Sequence, residues 1–272
     1  MLWVPKHAGK LSYSQTELIH VIRRCGLTSG LKLCLDAGDA ASYASGQSWL
    51  DTSGNGYDFF LGADGSVAAD DPTFNGTAGQ RAPSNYWSFD GGDFFRYDSA
   101  NETWMQNLHK DNAKFTIVAG VQNGALGDIR SICGTTGGVN AVGVQFYISD
   151  SGEPRLRVRG DSGVSVLFLS TVMTSAEDVP HFMAVSLDEA AGANGASTYL
   201  NGVAEYFTST YTGPSVNSAG YTLEIGSTGS GGTPQLLPAT SRLWFIAIWE
   251  SIVLTKTQVD AVYMGMRGRM GI

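Results

Sequence analysis

The chain has 272 residues, of which 35 are glycine, 11% are aromatic and only 15% are charged. A disordered chain would lack the aromatic residues, and a helical one would lack the glycines. The formal net charge of −8 argues against a protein that binds nucleic-acid phosphates or anionic lipid. No apolar run is long enough to span a bilayer, so we expect neither nucleic-acid binding nor membrane insertion.

The N-terminal segment and the cysteines indicate where the chain is made. The start at Met1 has no long apolar stretch after a basic region, which predicts that there is no signal peptide. Cys25, Cys34 and Cys133 are odd in number and widely separated, and none forms a Cys-x-x-Cys pair. We therefore expect buried free thiols in a protein made in a reducing cytosol.

The first 26 residues predict an extended arm followed by one helix. Residues 1–13 show no periodicity, whereas Ser14 and Glu17 have the spacing of a capping box before four apolar residues. These signals predict a short amphipathic helix at about 15–25, with Gly26 as its stop. This helix precedes the main domain and is expected to dock on that domain or on a partner.

From Leu31 onward the pattern is one of strands and turns. The predicted strands are 31–36, 57–61, 86–97, 114–122, 129–133, 141–149, 154–160, 163–169, 180–188, 196–207, 220–226 and 241–250. Alternation is clear at 154–159, where Leu156 and Val158 share one side and three arginines take the other. One dry side and one wet side are what a two-sheet sandwich requires.

Two local signals are strong. Asn201 and Gly202 tolerate the positive φ angles of a type I′ turn, which predicts a β-hairpin within 196–207. Near the C-terminus, Thr255 and Gln258 form a second capping box before apolar residues at helical spacing. They predict a helix packed under the sandwich, followed by an exposed tail at 267–272.

The order of several motifs resembles laminin-G-like, concanavalin A-like jelly-roll domains. Those motifs are GLKLCLDAGD at 30–39, ASY at 41–43, WLDTSGNG at 49–56, PTF at 72–74, WSFDGGD at 87–93, FTIVA at 115–119, MAVSLD at 183–188, YLNG at 199–202 and the strand and helix of 243–263. The resemblance covers about 27–265. It implies an all-β, two-sheet antiparallel jelly-roll sandwich, with one concave sheet, over 27–272, with short N-terminal and C-terminal helices.

The same resemblance implies a setting. Such domains are frequent in structural proteins of tailed bacteriophage virions, as decoration, fibre or tail-associated components. We therefore expect a virion-surface protein, made in the host cytoplasm. Residues 1–26 would anchor it to other virion proteins, and it would form a homo-oligomer.

Catalytic motifs are missing from the sequence. The eight glutamates are scattered and do not form the closely spaced carboxylate motif of sandwich glycosidases. The four histidines are also scattered, and there is no Gly-x-Ser-x-Gly nucleophile elbow. We therefore predict no catalytic residue and no enzymatic activity.

Acidic side chains in the loops offer oxygen ligands of the kind that calcium prefers. The candidates are Asp36, Asp39, Asp51, Asn55, Asp90 and Asp93. Aspartate and asparagine are also favoured in glycine-rich turns for turn geometry alone, and this interpretation is preferred. No metal and no cofactor is therefore assigned, although calcium stays an open alternative.

Aromatic side chains near loops are candidates for stacking on a sugar ring, because pyranose rings have an apolar face. Trp49, Tyr57, Tyr86, Trp87 and Trp104 lie near predicted turns, although burial is the stronger expectation for each ring taken singly. In contrast, Trp244 and Trp249 lie on a strongly apolar strand and are expected in the core.

From these candidates we predict a ligand-binding set made of Trp49, Asp51, Asn55, Tyr57 and Trp87. The predicted function is non-enzymatic attachment to host-surface carbohydrate. Two alternatives remain open: a ligand-free capsid cement or decoration protein, and a polysaccharide depolymerase.

Overall fold

The protein is an all-β, two-sheet antiparallel jelly-roll sandwich with three short α-helices in its described part, which confirms the predicted fold class. The computed structural model describes residues 16–137, 141–160, 165–169, 173–209, 215–229 and 235–272, with the backbone alone at 165–169. In those segments no helix is both long enough and apolar enough to cross a membrane.

The strands and helices follow one another along the chain with short connections. In chain order they are α1 (Leu18–Arg24), β1 (Leu31–Asp36), β2 (Ser48–Trp49), β3 (Phe59–Leu61), β4 (Thr73–Asn75), β5 (Tyr86–Ser88), β6 (Phe95–Tyr97), α2 (Thr103–Asn107), β7 (Lys114–Gln122), β8 (Arg130–Gly134), β9 (Gly143–Ile148), β10 (Pro154–Arg159), β11 (Ser165–Leu169), β12 (Pro180–Asp188), β13 (Ala196–Leu200), β14 (Val203–Phe207), β15 (Glu224–Ile225), β16 (Arg242–Glu250) and α3 (Lys256–Met270).

These strands form two sheets. Sheet I has the order β14-β13-β12-β7-β16-β5-β4, and β1 pairs with β16 beside this path. Sheet II has the order β11-β10-β9-β8-β15-β6-β3-β2. The core between the sheets is rich in aromatic and branched side chains, among them Phe59, Phe115, Phe146, Leu156 and Ile246. Burial of this apolar surface is the main term that stabilises the sandwich.

A second core covers the outer side of sheet I. Helices α1 and α3 pack against each other and against this sheet, so that Leu18, Ile22, Val259 and Val262 are buried. Strands β7, β12 and β16 are therefore covered on both sides, and nearly all of their residues are buried. Helix α1 docks on the sandwich itself, which is one of the two positions expected for it.

The tryptophans of strand β16 belong to this second core, as predicted. Trp244 and Trp249 are 1% and 0% exposed. Each indole N–H has a backbone acceptor: Trp244 donates to the carbonyl of Pro83 at 2.8 Å, and Trp249 donates to that of Leu27 at 2.6 Å. Both large rings are therefore buried without an unsatisfied donor.

The turn and capping signals are confirmed where the structure describes them. Asn201 and Gly202 have φ angles of 48° and 85°, as a type I′ hairpin turn requires. Thr255 and Gln258 form the predicted capping box at the start of α3. The box predicted from Ser14 lies outside the described residues, and the N-cap of α1 is Glu17.

The prediction of one strand at 86–97 is wrong. This segment contains β5 of sheet I and β6 of sheet II, with a turn between them. The turn forms because the Asp93 carboxylate accepts a hydrogen bond from the amide of Asp90 at 2.8 Å. The chain thus crosses between the sheets at this point. Strands β2 and β4 and helix α2 were not among the predicted elements.

The prediction of an exposed tail at 267–272 is also wrong. Helix α3 continues to Met270, and Arg269 and Met270 are only 1% and 2% exposed. The guanidinium of Arg269 reaches the buried carboxylate of Asp36. A buried carboxylate needs an opposite charge, and this requirement draws the last helical turn into the structure.

The cysteines divide into two groups. Cys34 and Cys133 are buried, as expected, and burial raises the pKa of the Cys133 thiol to about 12. Cys25 is exposed, contrary to the expectation, because it is the C-cap residue of α1 and lies outside the apolar side of that helix.

Candidate functional site

The two tryptophans of the predicted ligand-binding set lie inside the protein. Trp49 and Trp87 are both 0% exposed, and their ring centroids are 5.7 Å apart in the core between the sheets. Phe95 packs against both rings, at 4.8 Å and 5.1 Å. Neither indole presents a face to a sugar, so their assignment as ligand contacts is corrected to a role in the core.

The other three members of that set fasten the 50–57 loop to the sandwich. The Asp51 carboxylate accepts hydrogen bonds from the amides of Cys34 and Ser53, both at 2.9 Å. The side-chain amide of Asn55 donates to two carbonyls of β1. Tyr57 packs on a neighbouring aromatic ring of α2. The structure places the five residues near one another, but they do not form a common ligand surface.

The acidic candidates for calcium are engaged in the protein's own structure. Within the described ranges, no group of three histidine, cysteine or acidic residues is arranged to hold a metal ion. Their carboxylates accept hydrogen bonds from turn amides, as Asp36 does from Gly38, Asp39 from Ala41, Asp90 from Gly92 and Asp93 from Asp90. Turn geometry therefore accounts for these residues.

A different set of polar residues lies on the outer side of sheet II. Strand β10 directs its apolar side chains into the core between the sheets and its three arginines outward, as the alternation predicted. We call the outward residues Arg155, Arg157 and Arg159, with Gln145 and Tyr147 of β9, the arginine face. In the antiparallel register, Arg157 lies opposite Gln145, and Arg155 lies opposite Tyr147.

Arg157 is the central residue of the arginine face. Its guanidinium carbon lies 4.9 Å from the centroid of the Tyr147 ring, which is a cation–π arrangement. The same guanidinium donates to the Gln145 side-chain carbonyl at 3.2 Å and to the Tyr147 hydroxyl at 3.4 Å. The planar group is therefore held in one orientation by two neutral neighbours.

A buried amide network orients Gln145. This side chain is 1% exposed, and its Nε2 donates to the Ser131 hydroxyl and, at 2.7 Å, to the Gln235 side-chain carbonyl. The amide of Ser131 in turn donates to the backbone carbonyl of Gln235 at 3.2 Å. Because the NH₂ group of Gln145 is used in this way, its oxygen points to Arg157.

A surface cleft adjoins the face. Its volume is about 420 Å³, and its lining includes Asp128, Arg130, Gln235 and Pro238. Gln235 belongs both to this cleft and to the network under Gln145. The cleft therefore gives the face a neighbouring recess with charged and polar walls.

The charges on the face are unevenly compensated. Arg155 pairs with the Glu153 carboxylate at 3.2 Å. Arg157 has no carboxylate within ion-pair distance in the described part of the chain, and its Nε–H is buried without a hydrogen-bond partner there. Burial and the nearby charge of Arg157 lower the pKa of Arg159. Within the described residues, the positive charge of Arg157 thus has no counter-charge.

The sequence contained part of this information. Three arginines at alternate positions of one strand are notable in a chain with only 17 lysines and arginines. From the sequence they indicated only the wet side of a strand. Since the partners of Arg157 come from β9 and lie ten or more positions away, spacing within β10 did not show that this charge lacks a carboxylate.

No known protein family and no curated protein matches this sequence. Solved structures do match the fold. A structure of botulinum neurotoxin type C has a TM-score of 0.60 at 11% identity, over 89% of this chain and 52% of that chain. Trypanosoma rangeli sialidase in complex with sialic acid has a TM-score of 0.56 at 14% identity, over 88% and 33%.

The carbohydrate-binding module CBM40 of a Ruminococcus gnavus IT-sialidase also matches, and its structure contains α2,3 sialyllactose. Its TM-score is 0.50 at 15% identity, over 65% of this chain and 96% of that module. This chain therefore spans about half of the neurotoxin chain and a third of the sialidase. At these identities the similarity shows a shared jelly-roll fold.

Proposed function

We propose that this protein is a non-catalytic carbohydrate-binding jelly-roll domain that engages glycan through the arginine face. The observation that carries the proposal is the outward set of three arginines on β10, in which the buried side chains of Gln145 and Tyr147 hold the Arg157 guanidinium in one orientation. Guanidinium N–H groups donate hydrogen bonds, and the hydroxyl oxygens of a sugar accept them. The previously predicted tryptophans take no part in this site.

Preorganisation supports the proposal. A flexible surface arginine loses side-chain entropy when it binds a ligand, and that loss weakens affinity. Here Arg157 rests on Tyr147 and is held by Gln145, which is itself held by Ser131 and Gln235. Much of the ordering cost is therefore met before a ligand arrives.

The similar structures support the same class of ligand. Cell entry of botulinum neurotoxin type C depends on its interaction with two ganglioside molecules, and the CBM40 module contains a bound sialyllactose. Both ligands are glycans or carry them. The CBM40 module is matched over 96% of its length, so in that protein the shared fold itself holds the sugar.

We propose that the domain has no enzymatic activity. Among the described residues, three carboxylates lie on or beside this side of sheet II, and each is paired with an arginine. Asp128, in the cleft, pairs with Arg130 at 3.4 Å. Glu153 pairs with Arg155 at 3.2 Å, and Glu224, only 1% exposed, pairs with Arg96 at 2.9 Å. None of the three is unpaired, as a carboxylate that attacks or protonates a glycosidic bond would be.

We also propose a virion setting for the domain, as a decoration, fibre or tail-associated protein that attaches to host glycan and assembles as a homo-oligomer. The support is the ordered resemblance of the sequence motifs to jelly rolls of tailed phages. The anchoring role of residues 1–26 now rests on 1–15, which lie outside the described residues, because α1 buries its apolar side on the sandwich. Mass spectrometry of purified particles tests this setting, and absence of the chain from them refutes it.

A glycan array with the purified chain tests carbohydrate binding. We expect retention on a subset of glycans and loss of that retention in Gln145→Leu, which removes the amide that orients Arg157. Gln122→Leu is the matched control, because Gln122 is a buried glutamine of β7 in the other sheet and is 3% exposed. Thermal unfolding of both variants shows whether they fold.

Three results would contradict the proposal. Retention on no glycan at high protein concentration would favour a ligand-free cement protein. Equal loss of binding in both glutamine variants would place the site elsewhere. Release of reducing sugar from a bound polysaccharide would establish a depolymerase.

A further inference from the structure

The charge on the arginine face narrows the class of glycan. Among the ion pairs of the described residues, the arginines of sheet II at Arg96, Arg130 and Arg155 each have a carboxylate partner. Arg157 lacks one, although its side chain is only partly exposed. A partly buried guanidinium without a counter-charge is unfavourable, because its lost hydration is not replaced by an ion pair.

The neighbouring arginine increases this cost. Arg159 lies on the same side of β10, and burial together with the positive charge of Arg157 lowers the pKa of Arg159. Two guanidinium groups on one side of a strand therefore repel each other. An anion bound at Arg157 would supply the ion pair that this residue lacks.

The shape of the guanidinium indicates which anion fits. Arginine presents a planar fork of N–H donors that matches a carboxylate in a two-bond arrangement. The Nε–H of Arg157 is buried and out of a ligand's reach, but each terminal nitrogen carries two N–H groups, and the contacts with Gln145 and Tyr147 use one on each. At least one donor of the fork thus remains unused in the protein alone.

We propose that the arginine face binds an anionic sugar residue, with its acid group held at Arg157 beside Arg159. This inference rests on the proposed function, since it specifies the ligand class of the same site. The acid group is a carboxylate, as in a sialic or uronic acid. Sulfate esters share the negative charge but lack the planar shape, so they are the competing source of the same chemistry.

Paired probes that differ only in the acid group give the test. The purified chain is titrated with sialyllactose against its methyl ester, and with oligogalacturonate against its methyl ester and against a sulfated oligosaccharide. We expect binding to at least one carboxylate probe and at least tenfold weaker binding to its neutral partner, as is usual for loss of a charge-assisted hydrogen bond. Added salt should weaken the carboxylate complex further.

Substitutions of Arg157 test whether this residue holds the acid group of the sugar. Arg157→Gln should weaken binding to the carboxylate probe by about 10- to 100-fold. Arg157→Lys keeps the positive charge but lacks the planar fork of N–H donors. Its affinity for the carboxylate probe should therefore lie between those of the wild type and Arg157→Gln. Arg242→Gln is the matched control, because Arg242 lies over the ring of Tyr86 at 4.6 Å in sheet I, as Arg157 lies over Tyr147. It should bind as the wild type does.

The outcomes separate the inference from the function on which it rests. Binding of neutral and acidic partners with equal affinity overturns the inference but leaves carbohydrate binding in place. Tighter binding of the sulfated probe overturns the assignment to a carboxylate. Unchanged affinity in a folded Arg157→Gln also overturns it. Failure of all probes, together with an empty glycan array, refutes the proposed function itself.

Discussion

The guanidinium of Arg269 donates to the carboxylate of Asp36 at 2.9 Å, although the two residues are 233 positions apart and both are buried. The second oxygen of this carboxylate accepts from the amide of Leu18 at 2.9 Å, and Arg269 also donates to the carbonyl of Ala82. One ion pair thus joins strand β1, the start of α1 and the end of α3.

Removal of Arg269 should therefore destabilise the whole fold. In Arg269→Met the carboxylate of Asp36 stays buried without its counter-charge, and loss of one partner of a buried pair costs about 3–5 kcal/mol. Denaturant unfolding of the variant measures this loss. The double variant Asp36→Asn with Arg269→Met should lose less than the sum of the two single changes, because the residues act as a pair.

The control for this experiment is Arg24→Met. Arg24 lies exposed at the end of α1, so its replacement should change the free energy of unfolding by less than about 0.5 kcal/mol. Equal stability of the Arg269 and Arg24 variants would show that the buried pair does not stabilise the fold.

Gly38→Ala should disturb the same pair from the other side. A Cβ atom at Gly38 would clash with a terminal nitrogen of Arg269, so the guanidinium has to move away. We expect a loss of stability of about 2 kcal/mol or more, which is greatly reduced when Arg269 is already methionine. Gly92→Ala is the control, since its Cβ would meet its nearest atom at an ordinary 3.4 Å. An additive effect of Gly38→Ala and Arg269→Met would contradict this explanation.

Asp93 should make stability depend on pH. Burial raises the pKa of this carboxyl from 3.8 to about 7. The folded state therefore holds the proton more tightly than the unfolded state, so this contribution to stability is full below about pH 4 and is lost as the pH rises to about 7. The slope cannot exceed about 1.4 kcal/mol per pH unit for one group.

In Asp93→Asn this dependence should disappear. The neutral amide keeps an oxygen for the hydrogen bond from the Asp90 amide. Relative to wild type, we expect the variant to gain stability between pH 4 and pH 7, as followed by thermal unfolding across that range. If the stability of Asp93→Asn changes with pH as steeply as that of the wild type, the titrating group is not Asp93.

Trp49→Ala should lower the free energy of unfolding, and it should not remove a contact with the glycan. The indole is fully buried between the sheets, and such truncations cost about 3–5 kcal/mol. Tyr206→Ala removes an aromatic ring that is 47% exposed and should cost less than about 1 kcal/mol. Chemical denaturation compares the two. A Trp49 variant of normal stability that loses glycan binding would restore this tryptophan as a ligand contact.

The elements that were predicted most accurately are those with strong local signals. Strands 114–122 and 180–188 agree to the residue with β7 and β12, because both of their sides are buried and the apolar runs are continuous. The Asn201 hairpin depends on φ angles that only a few residue types adopt. Such features are determined by residues that are adjacent in the sequence, so the sequence is sufficient to predict them.

The candidate site depended on pairing between distant segments. Trp49 lies next to a turn, and its position near a loop is equally compatible with an exposed and a buried ring. The alternation of Arg155, Arg157 and Arg159 did show which side of β10 is polar. It did not show that Tyr147 and Gln145 support Arg157, because the register of β9 brings them there.

By itself, the sequence determined the all-β class, the turns and the caps, since their causes act over a few residues. Only the tertiary structure decided that Arg269 is buried on Asp36, that 86–97 divides between two sheets, and which arginine lacks a carboxylate. The physical reason is that desolvation and ion pairing depend on which groups meet in space. Those meetings are set by strand register between segments that are far apart in the chain.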